Sequence, residues 1–68
     1  MKLLDVVATL EEVPTARLAK GQVGTIVDEL NTDVVLVEFA DLAGVAYAIE
    51  PISTSKLIAL HHTPALAA

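Results

Sequence analysis

Few side chains in this sequence invite chemistry. There is an adjacent histidine pair, His61-His62, a hydroxyl run, Ser53-Thr54-Ser55, and carboxylates at Glu11-Glu12, Asp28-Glu29 and Asp41. Two glycines, Gly21 and Gly24, stand three residues apart. Each has a candidate reaction and a reason to set it aside. Neighbouring residues on an extended chain point to opposite sides, so one metal ion does not readily take both histidines, and neither cysteine nor a nearby carboxylate completes a ligand set. The hydroxyl run lacks the glycine elbow that exposes a nucleophile, and capping of a helical turn by Ser53 accounts for it. The carboxylates match no calcium-loop spacing and read as a solvated acidic face suited to steering a basic partner. Gly21 and Gly24 lack the Lys-Ser/Thr ending of a phosphate loop and lead into a strand, so no helix N-terminus faces an anion. Phe39 and Tyr47, the only aromatics, are too few for a proline-peptide groove. No catalytic residue, metal site, cofactor or small-molecule substrate is indicated, and a non-enzymatic protein is expected.

Composition bounds the rest. Sixty-eight residues make one domain, and a chain of that size hides only about 60% of its unfolded surface. No cysteine is present to staple a thin core. The apolar fraction is 54%, but eleven of those residues are alanine, so the excess is modest. It hints that some apolar surface meets another chain. Nine acidic against four basic side chains, a formal charge of −5, argue against a role that depends on phosphate attraction. Lys2 is followed within three residues by Asp5, which is no secretory leader, and no apolar run approaches membrane-spanning length. A cytoplasmic protein is the default.

The elements that would position any site are short strands. Residues 3–10 are apolar and β-branched and read as a first strand stopped before Val13-Pro14. Residues 11–20 form a long polar loop with Val13 and Leu18 as anchors; loops of this length in small domains are often functional. The stretch from Leu18 to Val27 organises the chain, with a tight turn at Gly21 and either a close backbone approach or a positive φ at Gly24. Residues 23–30 are a second strand, residues 31–33 a hairpin turn built on Asn and Asp, which tolerate left-handed geometry, and residues 34–40 a third strand. The period of two puts Val35, Val37 and Phe39 on the core face and leaves Val34 and Leu36 as candidates for exposed apolar surface. Gly44 closes a second hairpin in the left-handed position. A fourth strand over residues 45–49, with Val45, Tyr47 and Ile49 on one face, ends at Glu50-Pro51. One helical turn precedes a short fifth strand, residues 57–60. The expected architecture is all-β, a small five-stranded SH3-like barrel over residues 1–60 with one short helical turn before the last strand, and a tail over residues 61–68.

The opening Met1-Lys-Leu-Leu-Asp-Val-Val-Ala8, the segment Leu18-x-x-Gly21-x-Val-Gly24-Thr-Ile-Val27, the strand Val37-Glu-Phe39 and the closing Leu57-Ile-x-Leu60 resemble a family of short bacterial, often cyanobacterial, proteins of unknown function. The resemblance covers about residues 1–60. It implies an SH3-like barrel and, for function, little beyond members lying beside genes for toxin-like or other uncharacterised partners. The Gly21-x-x-Gly24 unit is also similar to the KOW motif of ribosomal and transcription-elongation proteins, without the basic flanks and exposed aromatics that RNA stacking needs.

The function expected is that of a protein–protein interaction module or accessory subunit. It either self-associates as a dimer or binds a separate bacterial partner such as a toxin or enzyme. The surfaces expected to carry it are the long loop with Glu12, Arg17 and Lys20, the acidic edge at Asp28 and Glu29, and the apolar pair Val34 and Leu36. The Leu57, Ile58 and Leu60 side chains add to the apolar surface that one thin core would struggle to bury. The rival is a KOW-like nucleic-acid or ribosome-associated module using Arg17, Lys20 and Lys56.

Overall fold

The alternation of β-branched and small residues resolves into five antiparallel strands in the computed structural model, which describes residues 1–60. They are β1 (Val6–Thr9), β2 (Val23–Glu29), β3 (Val34–Ala40), β4 (Ala46–Ser53) and β5 (Leu57–Ala59), in one sheet ordered β4-β3-β2-β1-β5. The helical content is two 3-10 turns, Pro14–Ala16 in the first loop and Thr54–Lys56 just before β5. The all-β expectation holds, including the single turn ahead of the last strand. No helix of the described residues is long and apolar enough to cross a membrane.

Opposed residues of an antiparallel pair share a face, so register sorts the side chains. The inner face carries Val7, Ile26, Val35, Val37 and Phe39, each at most 1% exposed, with Ile52 and Leu57 beside them. The first loop closes over this face: Leu18 is buried, and Val13 and Ala16 pack against the cluster. Burial of Val35, Val37 and Phe39 is as their period of two required.

Gly21 turns the chain into β2 with a φ of 81°. Gly24 has no positive φ; of its two expected uses, close approach is the one realised. A Cβ there would lie 2.7 Å from Val37 Cγ1 and 2.9 Å from both the Glu38 carbonyl oxygen and Phe39 Cδ1. The missing side chain is what lets β3 fold Val37 and Phe39 against β2. Gly44, at φ 82°, closes the second hairpin, and Asp41 Oδ1 accepts from the Ala43 and Val45 amides at 2.9 and 3.0 Å.

Several expected boundaries move, each for a local reason. The first strand begins at Val6, not Leu3, because residues 2–5 form a turn: the Asp5 amide donates to the Lys2 carbonyl at 3.0 Å, and the Lys2 amide to Asp5 Oδ2 at 3.0 Å. Leu4 takes the left-handed position there, at φ 70°. In the turn at residues 31–33, no residue is left-handed; Asn31 Oδ1 instead accepts from the Asp33 and Val34 amides at 2.8 and 2.9 Å. The largest correction is β4, which does not end at Glu50-Pro51 but runs on to Ser53. It is an edge strand, and on an edge a proline's missing N–H is tolerated. Ser53 stands at the N-cap of the following turn but makes no side-chain cap bond; its Oγ lies 2.9 Å from that of Ser55. The last strand stops at Ala59, one residue short of the expected end. The tail over residues 61–68, and His61-His62 with it, lies outside the described residues.

Candidate interaction surfaces

The long loop is held by a residue that its sequence context does not advertise. Thr9, 2% exposed at the end of β1, is the buried polar residue of the described chain. Its Oγ1 donates to the Ala19 carbonyl at 2.9 Å and accepts from the Gln22 amide at 3.0 Å. Its backbone adds two more bonds, N–H to the Gln22 carbonyl at 3.0 Å and carbonyl from the Gly21 amide at 2.7 Å. The far end of the loop, residues 19–22, is thereby clamped to the strand end from which the loop departs. Within it, Val13 and Leu18 exchange backbone hydrogen bonds across the 3-10 turn, leaving Arg17 in left-handed geometry at φ 55°. The fold of the loop follows: two apolar anchors pinned inward, and the polar residues between them presented to water.

Where this loop meets the end of β4 it leaves a groove of about 280 Å³. Val13 and Pro14 line one side, Pro51 and Ile52 the other, with Glu12 and Lys56 also at its walls. Lys56 is engaged by Glu11 at 3.3 Å, with both side chains more than half exposed, an arrangement worth at most about 1 kcal/mol.

The expected partner-surface residues do not converge. Glu12 lines the groove, while Arg17 and Lys20 stand exposed elsewhere on the loop. Asp28 and Glu29 lie exposed at the far end of β2, opposite Leu36 and Val35, after a bulge at Val27. Val34 and Leu36 are half-buried, not exposed as expected, since each has a cross-strand neighbour on its own face, Ser53 and Pro51 respectively. Leu57, counted among the surplus apolar residues, is core at 5% exposure. Among the described residues no three His, Cys, Asp or Glu side chains gather closely enough to hold a metal ion. The oxygens of Asp5, Asp28 and Asp41 accept main-chain amides in turns and strand ends.

The outer face of the sheet is the surface that strand-by-strand reading left incomplete. Val6, Thr25, Glu38 and Ile49 form one continuous cross-strand row, and Leu60, whose amide donates to the Val6 carbonyl at 2.8 Å, extends it beyond β1. Ile58, Ala8 and Val23 form a second row. Val6, Val23, Ile49, Ile58 and Leu60 are each 41–51% exposed. The face shared by Val45, Tyr47 and Ile49 therefore points to water, and the core takes the small alternate Ala48 and then Ile52. No single strand reveals this, because the apolar row is assembled across strands distant in sequence.

A small all-β domain thus emerges, with an apolar outer sheet face and a loop-walled groove as its distinctive surfaces. The chain belongs to the family described as a domain of unknown function (DUF4926), whose model matches residues 3–59. Comparison with curated proteins and with solved structures gives no match.

Proposed function

We propose that the protein is a non-enzymatic protein–protein interaction module, an SH3-like barrel of the bacterial cytoplasm that works by presenting its outer sheet face to another chain. That chain is either a second copy or a separate subunit such as a toxin or enzyme. The observation that carries the reading is the row from Leu60 through Val6, Thr25 and Glu38 to Ile49 with the Ile58–Val23 row beside it. Four aliphatic side chains there, Leu60, Val6, Ile58 and Val23, each about half exposed, lie around Ala8 and beside Thr25, and Ile49 stands beyond Glu38. A small domain gains nothing in solubility from such a field, and contiguous exposed apolar surface marks interaction sites. The strand order β4-β3-β2-β1-β5 and the 3-10 turn before β5 support the SH3-like assignment.

The KOW-like alternative draws less support. Of its three cations, Lys56 is paired to Glu11, and the outward rows of the paired strands carry an acid, Glu38, and no base.

A photo-crosslinking amino acid placed at Val23 in the native cell tests the reading, with Thr32 at the tip of the first hairpin as the comparison site. A discrete protein adduct from Val23 and none from Thr32 is expected. Equal labelling at both positions, or none at Val23, would refute a dedicated outer-face interface.

A further inference from the structure

The outer face is apolar but not neutral, and its charge is one-signed. In the register of the sheet, the outward positions of the central rows carry a single ionisable side chain, Glu38 on β3, between Thr25 and Ile49. Glu38 is half-buried, and the one ion pair among the described residues joins Lys56 to Glu11, leaving Glu38 without a cation. The next acid towards the edge of this face is Asp28, opposite Leu36. No lysine or arginine occupies any outward position of the paired strands.

Resting on the interaction-module reading, we infer that this face seats a cationic amphipathic helix of a different protein, with a lysine or arginine of that helix set on Glu38 between its aliphatic anchors. Charge selects among the occupants. A second copy would bring another apolar face of the same sign and another Glu38, on a chain already carrying −5, with no base on the face to answer either. Anionic lipid and nucleic acid are repelled for the same reason. A cationic helix supplies both missing elements: apolar area for Leu60, Val6, Val23 and Ile49, and a counter-charge for a carboxylate that docking would desolvate. Helices are the elements that ordinarily cover one face of an antiparallel sheet.

The test uses the full chain, isotopically labelled, titrated at physiological salt with a helical leucine/lysine peptide of about 14 residues and with its twin bearing glutamate for each lysine. The lysine peptide is expected to shift the amides of Val6, Val23, Thr25 and Ile49, and the glutamate twin to bind at least tenfold more weakly. Glu38→Lys should invert that preference and Glu38→Gln should flatten it. Glu12→Lys, the same change of net charge on the loop, should leave the preference in place. If Glu12→Lys acts as strongly as Glu38→Lys, bulk charge is at work and the assignment fails. It also fails if the same amides shift with protein concentration alone, which makes a second copy the occupant. Peptide shifts that require removal of residues 61–68 would overturn it too, since the chain's own tail would then hold the face. Val23 crosslinks in cells with neither peptide bound would leave the module reading standing and the partner's chemistry wrong; loss of both would end both.

Discussion

Gly24 offers the sharpest test of how this fold is held together. Substitution by alanine adds one methyl group, whose carbon would lie 2.7 Å from Val37 Cγ1, 2.9 Å from Phe39 Cδ1 and 2.9 Å from the Glu38 carbonyl oxygen. None of the three can move cheaply. Val37 and Phe39 are both fully buried, Val37 is β-branched and stiff at χ1, and the Glu38 oxygen is backbone of a central strand. Overpacking of this kind costs about 1–3 kcal/mol, which outweighs the roughly 0.4–1 kcal/mol that alanine gains by restricting the unfolded chain. In a domain this small each kcal/mol is about 4–8 °C in Tm, so Gly24→Ala should melt about 5–15 °C below the parent. Gly24→Val adds two more methyls to occupied space and should approach loss of the fold, given a total stability on the order of 3–10 kcal/mol. Glu12→Ala, on the exposed loop, should stay within about 0.5 kcal/mol. Thermal melts followed by far-UV circular dichroism give the order, and a double variant supplies the mechanism. Phe39→Leu alone should destabilise, yet combined with Gly24→Ala it should cost less than the sum, because the smaller side chain makes room for the new methyl. Strict additivity, or a Gly24→Ala melt within two degrees of the parent's, would refute the argument that β3 depends on the absent side chain.

Three further outcomes follow from the same geometry. Thr9→Val should lower stability by about 1–3 kcal/mol by leaving the Gln22 amide and the Ala19 carbonyl without their partner, whereas Thr9→Ser should retain most of it; urea melts compare them. Leu4→Gly should raise Tm by a few degrees, since Leu4 is 71% exposed and sits at φ 70°, and relief of about 1–3 kcal/mol of left-handed strain exceeds glycine's entropic cost. Fluorescence anisotropy with single- and double-stranded probes should register no binding at physiological salt, because nine acids face four bases. Micromolar affinity that tightens at low salt would favour the KOW-like alternative.

What was legible in the sequence was whatever a single strand or turn encodes by itself. The alternation in residues 34–40 named Val35, Val37 and Phe39 as core, Gly21 and Gly44 marked their turns, and Val13 and Leu18 announced the two points where the first loop returns to the sheet. Features that depend on a neighbouring strand were not legible. Pro51 looked like a strand terminator because its tolerance comes from β4 lying at the edge, a property of sheet order. Val34 and Leu36 looked exposed because the partners that half cover them, Ser53 and Pro51, lie in a segment read as having left the sheet. The outer apolar rows suffered most, their aliphatic members being drawn one or two at a time from four strands while β3 adds only Glu38. Thr9 was visible only as an interruption of an apolar run; that its hydroxyl has both a donor and an acceptor within reach is a fact of loop geometry.

The two edges of the sheet bear on which surface is open to a partner. An unpaired strand is ordinarily the readiest docking site a β protein has, yet both edges here are blunted. On β4 the proline at 51 removes a donor from the row, and Glu50, opposite the fully buried Val37, directs a half-buried carboxylate onto the inner side of the edge. Inward-pointing charge and proline are both devices that natural sheets use against edge pairing. At the opposite edge β5 is only three residues long, too short to nucleate a stable ladder with another chain. Association through added strands is therefore discouraged at both ends of the sheet, while the outer face between them keeps its aliphatic rows. Among the described residues the edges are guarded and that face is uncovered, which is what the proposed contact through side chains requires, with one carboxylate in an apolar field to decide which partner fits.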